Sequence, residues 1–235
     1  MIQLIHFKND IKQIMRDPIM AILLVAPLFL IVLFKLMILF LIPFIDSQIG
    51  FNATPYLQYV LSFVLLVNSG ILGIVTGFMM LDERDGNIAE LMSITPLGRS
   101  GYLINRLSFA SVLAFIYGII SCYVLNIAEL QLHAILFLSL LSALYTAIIG
   151  LLIYSGAGDK VKGLTFAKGL NSLVLFAFTD LLSLEWLTVL SWFFPPYWVT
   201  AIIKSPDSYL QYGVAIFVNV CWLVILIVRY WRKKS

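Results

Sequence analysis

Charge is what this sequence has least of. Of its 235 residues only 11% are Asp, Glu, Lys or Arg, against 62% apolar, and the mean hydropathy is +1.01. A soluble domain carries about a quarter charged residues to keep its surface in water, so an aqueous domain is excluded. Histidine is almost missing as well. His6 and His133 are the two present, in separate parts of the chain and outside any His-Glu-x-x-His pair, which excludes a zinc protease. The two cysteines, Cys122 and Cys221, fall in different apolar runs, so a disulfide framework is not expected and packed thiols are the plain reading. No Gly-x-x-x-x-Gly-Lys-Ser/Thr loop occurs; the chain lacks that means of binding ATP. No cofactor or metal is expected on it. A small-x-small cleavage site after the first apolar run is absent, arguing against a cleavable signal peptide.

Long apolar runs are what the sequence does have. Helices are predicted at roughly 18–43, 56–81, 103–125, 133–154, 164–184 and 212–230, each long enough for a bilayer that needs ~20 helical residues. Backbone amides in hydrocarbon must bond internally, and the period-two alternation of a membrane barrel is absent. The expected fold is all-α: one polytopic domain over 1–235 with six transmembrane helices.

Orientation follows from the positive charges. Lys8, Lys12, Arg16, Arg84, Arg99, Arg106, Lys160, Lys162, Lys168, Arg229, Arg232, Lys233 and Lys234 fall on one set of connections. The opposite set, 44–55, 126–132 and 185–211, holds Lys204 alone among Lys and Arg. By the positive-inside rule both termini are cytoplasmic. The net charge of +3 is this topology signal summed, with no nucleic-acid partner implied.

Residues 1–17 read as an amphipathic helix in the membrane interface. Ile2, Leu4, Ile5, Ile11, Ile14 and Met15 share one face, and Lys8, Asp10, Lys12, Gln13 and Arg16 the other. Asp17 and Pro18 then cap and open a new helix, and Pro27 is expected to kink it.

The most informative connection is 82–100, Asp-Glu-Arg-Asp-Gly-Asn-Ile-Ala-Glu-Leu-Met-Ser-Ile-Thr-Pro-Leu-Gly-Arg-Ser after Leu81. It sets Ile88, Leu91, Met92 and Ile94 beside charge in a piece too short to form a core. Such a surface suits docking of a soluble partner; a helix resting on lipid headgroups is the alternative.

Here the residues resemble a known family. The interfacial helix ending in Arg16-Asp17-Pro18, the Pro-containing first span, the acidic 82–100 segment with its Leu-x-x-x-x-Pro end, and the aromatic "WFFPPYWVTAIIKSP" before the last span follow one another as in permease subunits of the ABC type-2 export class, which share a membrane fold with the type V exporters. The resemblance implies a dimer of six-helix permeases over a separate cytoplasmic ABC ATPase that carries the ATP-Mg, in the bacterial plasma (inner) membrane. It also implies ATPase-coupling residues, by position Glu83, Glu90, Leu91, Met92 and Pro96. The second permease copy is either identical or a related chain. Drugs, peptides and lipid-like molecules all fit as amphipathic substrates moved outward.

Segment 185–211 is apolar, yet Pro195 and Pro196 forbid a straight helix through it. A re-entrant hairpin on the outer face is expected, with Pro195, Pro196 and Trp198 as parts of an outer gate or of an interfacial anchor. Two charges fall inside spans, Lys35 and Asp180. They either pair with each other, or Lys35 snorkels outward. Gly73-x-x-x-Gly77 suits close helix packing, between subunits or within one. A secondary transporter would show related broken helices in its two halves, and no internal repeat is seen. Asp82-x-x-Asp85-Gly86-x-x-Ala89 copies the opening of a signature of CDP-alcohol transferases, but Glu90 replaces its Arg, and positions 103 and 107 are leucine where further aspartates belong.

Overall fold

A computed structural model describes residues 15, 17–50, 52–88, 91 and 98–232. Among them the backbone is helical, with no strand. The elements are α1 (Pro18–Leu36), a π-helical turn (Met37–Leu41), α2 (Ile42–Ile49), a 3-10 turn (Thr54–Tyr56), α3 (Leu57–Asp85), α4 (Gly98–Leu125), α5 (Leu132–Gly156), α6 (Lys160–Asn171), a 3-10 stretch (Ser172–Leu182), α7 (Glu185–Ser191), α8 (Pro195–Lys204) and α9 (Tyr209–Arg232). Six helical runs among the described residues are long and apolar enough to span a bilayer: Pro18–Gln48, Thr54–Asp85, Ser100–Leu125, Leu132–Gly156, Lys160–Leu182 and Tyr209–Arg232. The expected all-α membrane fold is the observed one. The interfacial helix of 1–17 lies outside the described residues except at Met15 and Asp17.

The first span begins where the sequence places it. Asp17, extended at φ −101°, accepts from the amides of Ile19 at 2.9 Å and Met20 at 3.4 Å, satisfying donors that a helix start leaves open. α1 runs on through Pro27. The irregularity comes later, as the π-turn at Met37–Leu41 ahead of Pro43. A proline has no amide to give its i−4 carbonyl, so the turn before it is where an extra residue is absorbed most cheaply.

α3 is the hub. It is buried along most of its length and packs against α5, α4 and α1, while α5 also meets α4 and α9. Small residues make the approach possible. A Cβ added to Gly73 would meet the Cβ of Ile149 at 2.7 Å, and one on Gly77 would meet the Cβ of Ile153 at 2.7 Å. The Gly73-x-x-x-Gly77 face therefore serves packing within the chain, against α5. The Thr146 hydroxyl donates to the Ser69 carbonyl across the same seam at 3.0 Å. The outer helices expose apolar side chains such as Phe29, Phe40, Phe217 and Ile225, as lipid-facing helices do when hydrocarbon is the solvent.

The fifth span, expected at 164–184, runs over Lys160–Leu182 and is α-helical only in its first half. It starts earlier because Asp159 accepts from the Lys162 amide at 2.8 Å. It then tightens into the 3-10 stretch. At the start of that stretch and again within it a hydroxyl reaches a carbonyl three residues back: Ser172 to Gly169 at 2.6 Å and Thr179 to Phe176 at 3.3 Å. Such bonds compete with the α-helical ladder.

Candidate functional site

One end of the bundle is tied by charge. Lys160, at the start of α6, contacts the carboxylate of Asp17 and that of Asp82 at 3.0 Å. This joins the starts of the first and fifth spans to the end of the second. Arg84 donates to the carbonyls of Ala157 at 3.3 Å and Gly158 at 2.5 Å, its guanidinium 5.4 Å from the Tyr154 ring centroid. Deeper in, Glu83 accepts from the Tyr102 hydroxyl at 2.8 Å and from Nε of Arg106 at 2.8 Å, and the same arginine closes a second contact through Nη2. Three charged residues in sequence, Asp82, Glu83 and Arg84, thus fix the exit of α3 to α6, α4 and the α5–α6 turn.

The Lys160 ammonium, helped by the amides of Met20 and Ile19, holds the Asp17 carboxyl below its usual range. A hydrogen bond from the Lys162 amide does the same for Asp159.

Beyond this clamp the chain turns sharply. Asn87 takes φ +57°, a conformation asparagine tolerates better than most side chains. Ile88 and Leu91 then stand exposed, Leu91 at 62%. Gly98, at φ +61°, brings the chain back into α4. Of the sequence-predicted coupling residues, Leu91 is therefore on the surface. Glu83 is 1% exposed, its carboxylate held by Arg106 and Tyr102. Glu90, Met92 and Pro96 lie outside the described residues. Asp82 of the transferase-like pattern faces Lys160, and Asp85 is near Arg84 at 3.7 Å.

The other end holds the bent pair α7–α8, whose axes turn by 109°. Pro195 and Pro196 occupy the first turn of α8, where their missing amides cost no hydrogen bond. They start a helix, and both are buried. Trp198 Nε1 donates to the Trp192 carbonyl at 2.9 Å, closing the turn, and Trp222 Nε1 donates to the Phe193 carbonyl at 2.8 Å. Phe176 and Phe194 stack with centroids 3.9 Å apart. Trp222 lies about 20 Å along α9 from Tyr209, at ~1.5 Å per residue. The tip of the pair therefore reaches well into the bundle, and both its arms return to the same end: a re-entrant hairpin, as expected for 185–211.

The intramembrane charges are not paired as the sequence suggested. Asp180 is bound by Lys204 at 2.8 Å, and Lys204 also donates to the Tyr59 hydroxyl at 2.5 Å. Lys35 donates to the Leu125 carbonyl at the end of α4, at 3.4 Å. Within the chain, Lys35 and Asp180 thus make two separate contacts in place of a pair. Lys204 was legible only as a lone positive charge on its side, because its partner lies on another element 24 residues away.

The fluoroquinolones export permease proteins Rv2686c of Mycobacterium tuberculosis (strain ATCC 25618 / H37Rv) and MT2760 of M. tuberculosis (strain CDC 1551 / Oshkosh) are each 26% identical to the chain over 198 residues, covering 81% of it and 77% of the relative. No solved structure matches. The profile of the family described as fluoroquinolones export permease protein Rv2686c-like matches residues 10–231, and the chain belongs to that family of multi-pass membrane export permeases.

Proposed function

We propose that the chain is the membrane-spanning permease subunit of an ATP-driven ABC exporter. It works as a pair of permease chains, identical or related, over a separate cytoplasmic ATPase that carries ATP-Mg. It moves amphipathic molecules outward across the bacterial inner membrane, with both termini and the charge-tied end on the cytoplasmic side. The relatives' name points to fluoroquinolones, planar aromatic molecules carrying charge, as one member of that substrate class.

The observation that carries this reading is the pairing of a rigid exit with an exposed apolar surface. Glu83, Arg84 and Asp82 lock the end of α3 to its neighbours, and Ile88 and Leu91 are displayed immediately beyond. A partner that pushes on this segment moves a helix buried along most of its length, so force delivered there reaches the centre of the bundle. Leu91 with Ile88 forms the contact, together with Glu90, Met92 and Pro96 by their place in the sequence. Glu83 transmits the force and does not touch the ATPase.

Affinity purification from native membranes in mild detergent tests this. A P-loop ATPase is expected at near-stoichiometric yield. Leu91→Asp or Ile88→Asp is expected to lower that yield by about tenfold, the scale of an interface anchor, with the permease still folded. A folded dimer that captures no ATPase would instead favour a secondary transporter.

A further inference from the structure

At the end opposite the charge-tied one, a groove of about 450 Å³ runs between the 3-10 stretch and α7, lined by Asp180, Ser183, Glu185, Thr188, Val189 and Trp192. Its polarity is graded along α7. Glu185 sits in the first turn of α7, exposed. Asp180 gives Oδ2 to Lys204, and Lys204 is itself held by Tyr59 and does not line the groove. About 10 Å further along α7, at ~1.5 Å per residue, Trp192 leaves 48% of its surface open. Its indole is therefore available as a wall, while its carbonyl is occupied by Trp198.

Each class of small molecule meets this groove differently. An anion is repelled by Glu185, while Asp180 is already balanced by the Lys204 ammonium. A neutral polar molecule gains little from the indole and Val189. A molecule with a positive charge and a flat apolar body satisfies both ends at once, its charge at Glu185 or over the indole face and its body against Trp192 and Val189. We propose that this groove binds amphipathic organic cations: a protonated amine, or a quaternary nitrogen or phosphorus centre, on an aromatic body. Its role as a station for exported cargo rests on the exporter reading; its capacity to bind such a cation does not.

The test uses the full chain in lipid nanodiscs, without nucleotide or ATPase. Tetraphenylphosphonium binding is measured by equilibrium dialysis against empty nanodiscs, beside tetraphenylborate, an anion of the same shape. Saturable binding of the cation and none of the anion is expected. Glu185→Gln and Trp192→Ala should each weaken the cation by about five- to tenfold, the range of one cation–π or charge contact. Glu185→Asp and Trp192→Phe, which keep the charge and the aromatic face, should retain most of the affinity and show that the site is otherwise intact. Equal affinity for the two ions, or an affinity unmoved by Glu185→Gln and Trp192→Ala, overturns the proposal. Cation binding in a chain that captures no ATPase leaves the groove standing and removes the exporter reading. Capture of the ATPase without saturable cation binding does the reverse.

Discussion

Glu83 and Arg106 form the most deeply buried ion pair among the described residues, 1% and 9% exposed, and the Tyr102 hydroxyl takes up part of the remaining carboxylate capacity. Removing one partner from such a pair strands the other, which costs about 3–5 kcal/mol. Glu83→Ala is therefore expected to destabilise the chain strongly, read as a lower melting temperature and a loss of monodisperse protein on size-exclusion chromatography. Tyr102→Phe should cost less, about 1.5–3 kcal/mol, the worth of one hydrogen bond to a charged group. Asp17 makes a different prediction, through pH. Its folded-state carboxyl is held below the ordinary 3.8 by Lys160 and the α1 amides, so its contribution is complete above 3.8 and is lost as pH falls through the lowered value. The gap in melting temperature between the native chain and Asp17→Asn should persist from neutral pH down to 3.8 and close below it. A gap that closes well above 3.8 would contradict the contact. Lys35 belongs at this scale too: it lies about 25 Å along α1, where the carbonyl end of α4 offers a negative pole to a lysine.

Among the elements, α3 and α5 decide the bundle. Each faces the other with residues that have no side chain to spare: Gly73 and Gly77 on α3, and Gly150 on α5, where an added Cβ would meet the Thr76 side chain at 3.3 Å. A side chain larger than hydrogen at Gly77 must displace the Cβ of Ile153, which is anchored to backbone. Gly77→Ala is expected to destabilise by about 1–3 kcal/mol, as overpacking does, and Gly77→Leu to abolish folded protein. The measurement is thermal unfolding in detergent, beside Gly169→Ala as a control, since a Cβ at Gly169 meets nothing within 4 Å. The spans themselves were readable because each is a long apolar run. The fifth turns 3-10 in its second half, which an apolar run does not disclose; the hydroxyls of Ser172 and Thr179 are a local sign.

For the whole molecule, the proposed orientation makes a direct prediction. With Cys122 and Cys221 replaced by Ala, a cysteine at Asp207 should react with an impermeant maleimide on intact cells. One at Lys168 or Arg229 should react only after the membrane is opened. Reversed labelling would invert the topology and place the cation groove, with Glu185 and Asp180, on the cytoplasmic side. The bundle's two ends have different characters whichever way it sits. One is cross-tied by Lys160, Arg84 and Arg106 and ends in exposed Ile88 and Leu91; the other is closed by a hairpin hung on Trp222, Lys204 and Tyr59.

Composition and the spacing of apolar runs were enough for a membrane class, six spans and a hairpin at the two prolines, because each of these depends on chain-local length and on whether a backbone amide is present. Partner choice is not local, and only the tertiary structure decided it. A charge in the sequence is compatible with every opposite charge at a similar depth, so Lys35 was the partner suggested for Asp180 where the structure has Lys204, and nothing in the sequence marked Glu83 as buried. Which of them meet is set by helix rotation and by how closely two backbones approach. In this chain that is controlled by Gly73 and Gly77 against Ile149 and Ile153. Once α3 is turned so that its glycines face α5, Glu83 points inward to Arg106 and leaves Ile88 and Leu91 as the surface beyond it.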